Sequence, residues 1–338
     1  MQFLDHISLK NYNTFGVTAK ARYFVSISAY EEIEDVVKNF DPGENRHFIL
    51  GGGSNLLFTR DFNGWILHSN IKGFQVVEET NDEVLVKAGS GVNWSDFVDF
   101  TVQKGWGGLE NLSLIPGTVG AAPVQNIGAY GVEQKDVFER LEACNLISGN
   151  RCYFNKLECN FDYRSSIFKD GEAGRWFILN VTYRLKKKPN LHLDYAPLQK
   201  YFQQIPTEKI TVQAVSEAVK TIRRSKLPDP KKLGNAGSFF KNPIIREERF
   251  RHLQQKFPEL PFYSLPNGWV KIPAGWLIEQ TGWKGKRKGD VGVYERQALV
   301  IVNYGTATGP EILCLAKAIR KDVFKKFGIQ LEPEVLIL

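Results

Sequence analysis

The chain has 338 residues, 43% of them apolar and 24% charged, which excludes a disordered or fibrous protein and leaves room for two or three folded domains. Its 44 lysines and arginines exceed its 37 aspartates and glutamates by seven, and they are dispersed, which favours a phosphorylated small ligand over a nucleic-acid track. Four cysteines without CxxC spacing and scattered histidines without an HExxH motif argue against a metal and a disulfide framework. No apolar run reaches the length of a membrane span and no basic-then-apolar leader opens the chain, so the expectation is a cytoplasmic protein with small-molecule partners, no membrane, no nucleic acid and no obligate protein partner.

In chain order, residues 21–28 read as a strand and 29–39 as an amphipathic helix with Ile33, Val36 and Val37 on one face. Residues 48–50 form a strand running into Gly51-Gly52-Gly53, and residues 65–68 form another. Between Phe74 and Ala88 the pattern predicts two strands joined by a polar turn at Asn81-Asp82, followed by a helix over 94–105. Residues 141–185 are strand-rich, ending in a strand over 176–184. The spacing of Val212, Val215, Ala218, Val219 and Ile222 predicts a helix over 211–226, stopped by Pro228-Asp229-Pro230. A last helix spans 310–327 with Ile312, Leu315, Ala316, Ile319, Val323 and Phe327 inward, and a strand over 335–338 ends the chain. The domain boundaries fall near residue 205, before the 211–226 helix, and near residue 70.

The segment from Ser113 to Gly131 is dense in glycine and proline and carries no charge, yet Leu114, Ile115, Val119, Val124, Ile127 and Tyr130 need burial. It reads as a tightly folded backbone able to approach an anionic cofactor closely. Leu50-Gly51-Gly52-Gly53-Ser54-Asn55-Leu56 and Ala88-Gly89-Ser90-Gly91-Val92 are further glycine turns after strands. None fits G-x-G-x-x-G or G-x-x-x-x-G-K-[ST], so a dinucleotide held by another route is expected.

Residues 107–133 resemble the flavin loop of the UDP-N-acetylenolpyruvoylglucosamine reductase (MurB) family. Tyr163-Arg164-Ser165-Ser166-Ile167-Phe168-Lys169, residues 234–243 (Gly-Asn-Ala-Gly-Ser-Phe-Phe-Lys-Asn-Pro) and Leu331-Glu332-Pro333-Glu334-Val335 are similar to further motifs of that family, in its order along the chain. The resemblance implies an α+β fold: a two-lobed FAD-binding domain of the vanillyl-alcohol-oxidase (PCMH) type, lobes 1–69 and 70–204, followed by an α/β substrate-binding domain over 205–338. It implies non-covalent FAD, NADPH as co-substrate, and reduction of UDP-N-acetylenolpyruvoylglucosamine to UDP-N-acetylmuramate in bacterial peptidoglycan precursor synthesis. The cofactor-binding residues would be Gly51, Gly52, Gly53, Ser54, Asn55, Leu56, Pro116, Gly117, Thr118, Gly120, Ala121, Gln125, Asn126, Gly128, Ala129, Tyr130 and Gly131.

By the same resemblance Ser238 protonates a carbanion, and Arg164 and Glu334 flank the reacting carbon, the arginine stabilising an enolate. Glu334, set between Pro333 and a run of apolar residues, reads as a partly buried carboxylate. Tyr195, Lys226, Asn242 and Gln297 would bind the substrate diphosphate. The Tyr195 loop marks the longer subtype, with an insertion over about 246–275, and Leu336 stands where relatives usually carry arginine. Two other readings stay open on the residues: an oxygen-using flavin oxidase of the same fold, and a nucleotide- or nucleic-acid-binding protein without enzymatic activity.

Overall fold

In a computed structural model, which describes residues 2–39 and 46–338, the chain separates into two compact units. The first comprises residues 1–7, 21–53 and 63–223, and the second comprises residues 8–20, 54–62 and 224–338.

The first unit holds two sheets. One orders the strands Phe3–Ser8, Lys20–Ile27, Phe62–Ser69 and His47–Leu50, the last two parallel. Helix Tyr30–Asn39 covers it, because Ile33 and Val36 recur on one face and join Val25, Ile27 and Leu67 in a common core. The other sheet is antiparallel, ordered Arg151–Asn155, Phe138–Asn145, Trp176–Lys186, Glu83–Gly89 and Phe74–Glu79. One face packs under helix Trp94–Gln103, whose Trp94, Phe97, Val98 and Val102 meet Val84, Val86, Leu141, Val181 and Tyr183. Asn93 caps that helix by accepting from the amides of Ser95 and Asp96. The two strands expected between Phe74 and Ala88 are present, with the Asn81-Asp82 turn between them.

In the second unit, Gly234–Ser238, Val300–Asn303, Val291–Val293 and Arg287–Lys288 form an antiparallel sheet. Helix Gly309–Phe327 has a Thr308/Glu311 capping box, a left-handed Gly328 at its end, and all six expected core residues buried. The insertion builds its own element: helix Glu247–Lys256 and a three-stranded sheet of Ile244–Arg246, Trp269–Lys271 and Tyr263–Leu265. The final strand is Leu336–Ile337, parallel to Leu56–Leu57. The exposed Leu336 side chain projects from a residue whose amide donates to Asn55 O at 3.0 Å. Among the described residues no helix is long and apolar enough to cross a membrane.

The division falls after Arg223, inside helix Val212–Lys226, rather than at the 204/205 boundary read from composition. The reason is packing: Val215, Ala218 and Val219 share a core with Leu198, Phe202 and Ile210, Gln213 Nε2 donates to Val102 O at 2.8 Å, and Lys220 pairs with Asp99 at 2.8 Å. Residues 8–20 and 54–62 fold with the C-terminal segment through bonds such as Asn235 N to Thr14 O, Asn303 Nδ2 to Phe15 O and Thr59 N to Leu338 O.

Candidate active site

The Ser113–Gly131 segment is a loop ordered by its own backbone and by what surrounds it. Short 3₁₀ turns at Glu110–Leu112 and Val119–Ala121 precede a tight hairpin, Gly128–Ala129 paired with Val132–Glu133. Val119 N and Gly120 N donate to the carbonyls of Val92 and Ser90, and Trp94 N donates to Gly117 O, which ties this loop to the Gly89–Val92 turn. Leu114, Asn126 and Tyr130 lie at φ 59°, 42° and 52°, a region that costs a side-chain-bearing residue roughly 1–2 kcal/mol. Each is held there from outside. Leu114 O accepts from Arg223 Nε at 3.2 Å, and Tyr130 O accepts from Asn111 Nδ2 at 3.0 Å. Asn126 Nδ2 donates to Glu133 Oε2 and Asp162 O, and its Oδ1 accepts from Lys135 N. Concentrated strain of this kind marks a functional segment.

Gly51 and Gly52 run against the same loop inside the first unit. A Cβ on Gly51 would stand 2.7 Å from Thr118 Oγ1, and one on Gly52 would stand 3.0 Å from Gly117 Cα, so only glycine lets the two turns approach this closely. Thr118 Oγ1 is buried without a hydrogen-bond partner among the described residues. An unmatched buried hydroxyl between two glycine-rich turns fits a phosphate-bearing cofactor, which would supply the missing acceptor. Gly53 belongs to this unit, while Ser54, Asn55 and Leu56 fall in the second, where Asn55 Nδ2 donates to Glu334 O at 3.2 Å.

Arg164 lies in the first unit at φ 55°. Its Nη2 donates to Gly128 O at 2.7 Å, and Lys169 Nζ holds the Arg164 carbonyl at 2.8 Å, so the guanidinium is directed at the loop hairpin. Tyr195 precedes helix Ala196–Phe202, and its ring meets Tyr130 edge-on at 5.3 Å between centroids.

In the second unit the segments that carry Ser238 and Glu334 run side by side. Ser238 ends strand Gly234–Ser238, opposite Val300. The next residue, Phe239, accepts through its carbonyl from Glu334 N at 2.8 Å, and Phe240 bridges to Pro333. These backbone contacts set the segment that carries Ser238 beside the one that carries the half-buried Glu334. Asn242 Oδ1 accepts from Ala274 N at 2.9 Å at the start of helix Ala274–Gln280, and the Gln297 side-chain oxygen lies against Gly275 in the same turn. Lys226 is exposed at the last position of its helix.

Three residues escaped the sequence reading. Arg223 supports Leu114 and hydrogen-bonds the Tyr130 phenol; burial pushes its guanidinium down, with the phenol opposing. Asn111 donates both amide hydrogens into this region, to Tyr130 O and to His192 O at 2.9 Å. Glu110, 2% exposed, accepts from Gly108 N at 2.6 Å. Glu110 and Asn111 stood within the quoted 107–133 motif, and their being polar in an apolar stretch was the available signal. Arg223, in a run of basic residues at a helix end, had none.

A model of the UDP-N-acetylenolpyruvoylglucosamine reductase C-terminal domain matches residues 229–338, and a model of an FAD binding domain matches residues 21–150. The chain is 47% identical to the UDP-N-acetylenolpyruvoylglucosamine reductase of Flavobacterium johnsoniae, covering 100% of both chains. It is 46% identical to the protein of that name from Pseudomonas aeruginosa, over 99% of this chain and 98% of the relative. Among solved structures, the UDP-N-acetylenolpyruvylglucosamine reductase (MurB) of Thermus caldophilus is similar in fold, with a TM-score of 0.68 at 23% identity over 99% of this chain and 98% of that one.

Proposed function

We propose that this chain, which belongs to the UDP-N-acetylenolpyruvoylglucosamine reductase family, takes electrons from NADPH and reduces the enolpyruvyl ether of UDP-N-acetylglucosamine to UDP-N-acetylmuramate for bacterial peptidoglycan precursor synthesis in the cytoplasm. The chain is an FAD oxidoreductase, and bound FAD supplies the hydride chemistry. In this reading residues 1–69 and 70–204 are the flavin-holding lobes, and the loops carrying Gly51–Leu56 and Pro116–Gly131 hold the cofactor through backbone amides and the Thr118 hydroxyl.

The protein's remaining work is acid–base and electrostatic. Once the alkene carbon remote from the substrate carboxylate is reduced, negative charge develops at the neighbouring carbon and its carboxylate. Arg164 stabilises that enolate, as a fixed cation in a site of low dielectric does. Ser238 Oγ gives the carbon its proton, and Glu334 assists proton delivery to the hydroxyl. Lys226, Tyr195, Asn242 and Gln297 grip the substrate diphosphate.

Supporting this reading, the backbone bond from Glu334 N to Phe239 O sets the segment that carries Ser238 beside the one that carries the half-buried Glu334 in the second unit. Anaerobic spectroscopy tests it. The purified protein should be yellow, should bleach with NADPH, and should recover its colour when the enolpyruvyl sugar nucleotide is added. A colourless, folded chain that takes up no flavin, or a reduced protein indifferent to that substrate, overturns it.

A further inference from the structure

We propose that Asn111 is a positioning residue: it fastens the Tyr195 loop to the flavin loop and thereby sets how tightly the substrate diphosphate is gripped. This rests on the reading of Tyr195 as a substrate ligand.

Asn111 is 2% exposed, and its amide nitrogen has two hydrogens to place. One goes to Tyr130 O at 3.0 Å and the other to His192 O at 2.9 Å. The first acceptor belongs to the flavin loop, and the second lies three residues before Tyr195. A single buried amide therefore bridges two segments remote in sequence.

The turn that carries Asn111 is itself pinned. Glu110 accepts from Gly108 N, and Ser113 Oγ donates to Glu110 O at 2.7 Å and lies 2.8 Å from Ser216 Oγ, both serines being fully buried. The other end of the bridge is not self-supporting. Residues 187–195, between strand Trp176–Lys186 and helix Ala196–Phe202, form no regular element. Leu191 and Leu193 pack this segment against the core, and the His192 bond and the edge-on meeting of Tyr195 with Tyr130 join it to the flavin loop. Tyr130 in turn holds its φ of 52° while Asn111 grips its carbonyl and Arg223 its phenol. Removing the amide releases the Tyr130 and His192 carbonyls together, which loosens the join between the Tyr195 segment and the flavin loop.

The test uses the flavin-loaded full chain with Asn111→Leu and Asn111→Ser, beside Tyr195→Ala and the Asn111→Leu/Tyr195→Ala pair. Serine guards against a leucine variant that fails to fold. Amide hydrogen exchange over 188–196 should accelerate about tenfold in both Asn111 variants, and KM for the enolpyruvyl sugar nucleotide should rise about tenfold with kcat within about twofold, the consequence of losing one buried anchor. Tyr195→Ala should raise KM by itself, and adding Asn111→Leu to it should raise KM no further, because the two act through one element. Unchanged exchange in both Asn111 variants, or KM effects that multiply in the pair, overturns the proposal. If Tyr195→Ala raises KM while the Asn111 variants do not, the positioning role alone falls. If none of them raises KM, the reading of Tyr195 as a ligand falls, and the proposal with it.

Discussion

Thr118→Val separates what the loop does for folding from what it does for the cofactor. Thr118 Oγ1 is buried without a protein partner, wedged where Gly51 leaves no room for a Cβ. An unsatisfied buried hydroxyl costs about 1–3 kcal/mol, and valine replaces it with a methyl of nearly the same shape. The flavin-free variant should therefore be more stable than the parent by about 1 kcal/mol. The cofactor complex should move the opposite way: a hydroxyl donating to an ionised phosphate oxygen contributes about 1.5–3 kcal/mol, so the FAD Kd should rise roughly 10- to 100-fold. Urea unfolding of the flavin-stripped protein reads the first effect, and quenching of flavin fluorescence on titration reads the second. A flavin-free variant less stable than the parent, or an unaltered Kd, refutes the assignment of Thr118 to the cofactor.

Ser238→Ala should still bleach with NADPH but pass electrons to the enolpyruvyl substrate about 10²- to 10³-fold more slowly, read by stopped flow; normal reoxidation would remove Ser238 from the mechanism. In the second unit, a Cβ on Gly309 would lie 1.8 Å from Phe58 O, so Gly309→Ala should destabilise by about 2–4 kcal/mol in urea despite alanine's helix preference, and a neutral result would contradict that packing. Burial raises the Glu110 carboxyl above its ordinary value of 4.5, with the Gly108 amide partly opposing. The native chain then binds this proton more tightly than the unfolded chain does, so the contribution is fullest below the unfolded value and is lost as pH rises through the folded one. Glu110→Gln should accordingly gain stability relative to the parent as pH rises from the unfolded value through the raised folded one, and a pH-independent difference would show that burial does not control this group.

Where local pattern and packing agree, elements were readable in advance. The six inward residues of helix Gly309–Phe327 repeat at helical spacing, and the strands Phe74–Glu79 and Glu83–Gly89 flank a polar turn. Other elements left no such trace. Gly-Asn-Ala-Gly-Ser at 234–238 has no strand preference and is a strand because Asn235 and Ser238 pair with Val302 and Val300. Helix Glu247–Lys256 buries only Phe250, so no apolar stripe announces it.

The sequence by itself determined the family, because the motifs at 107–133, 163–169, 234–243 and 331–335 stand in the family's order whatever surrounds them. Tertiary structure alone decided which segments share a unit and which side chains hold the loops. Asn303 reaches Phe15 across 288 residues, Arg223 fixes the strained Leu114 carbonyl across 109, and Glu334 meets Phe239 through a backbone bond. Such contacts depend on burial and on hydrogen-bonding groups that every residue carries, so no local pattern encodes them.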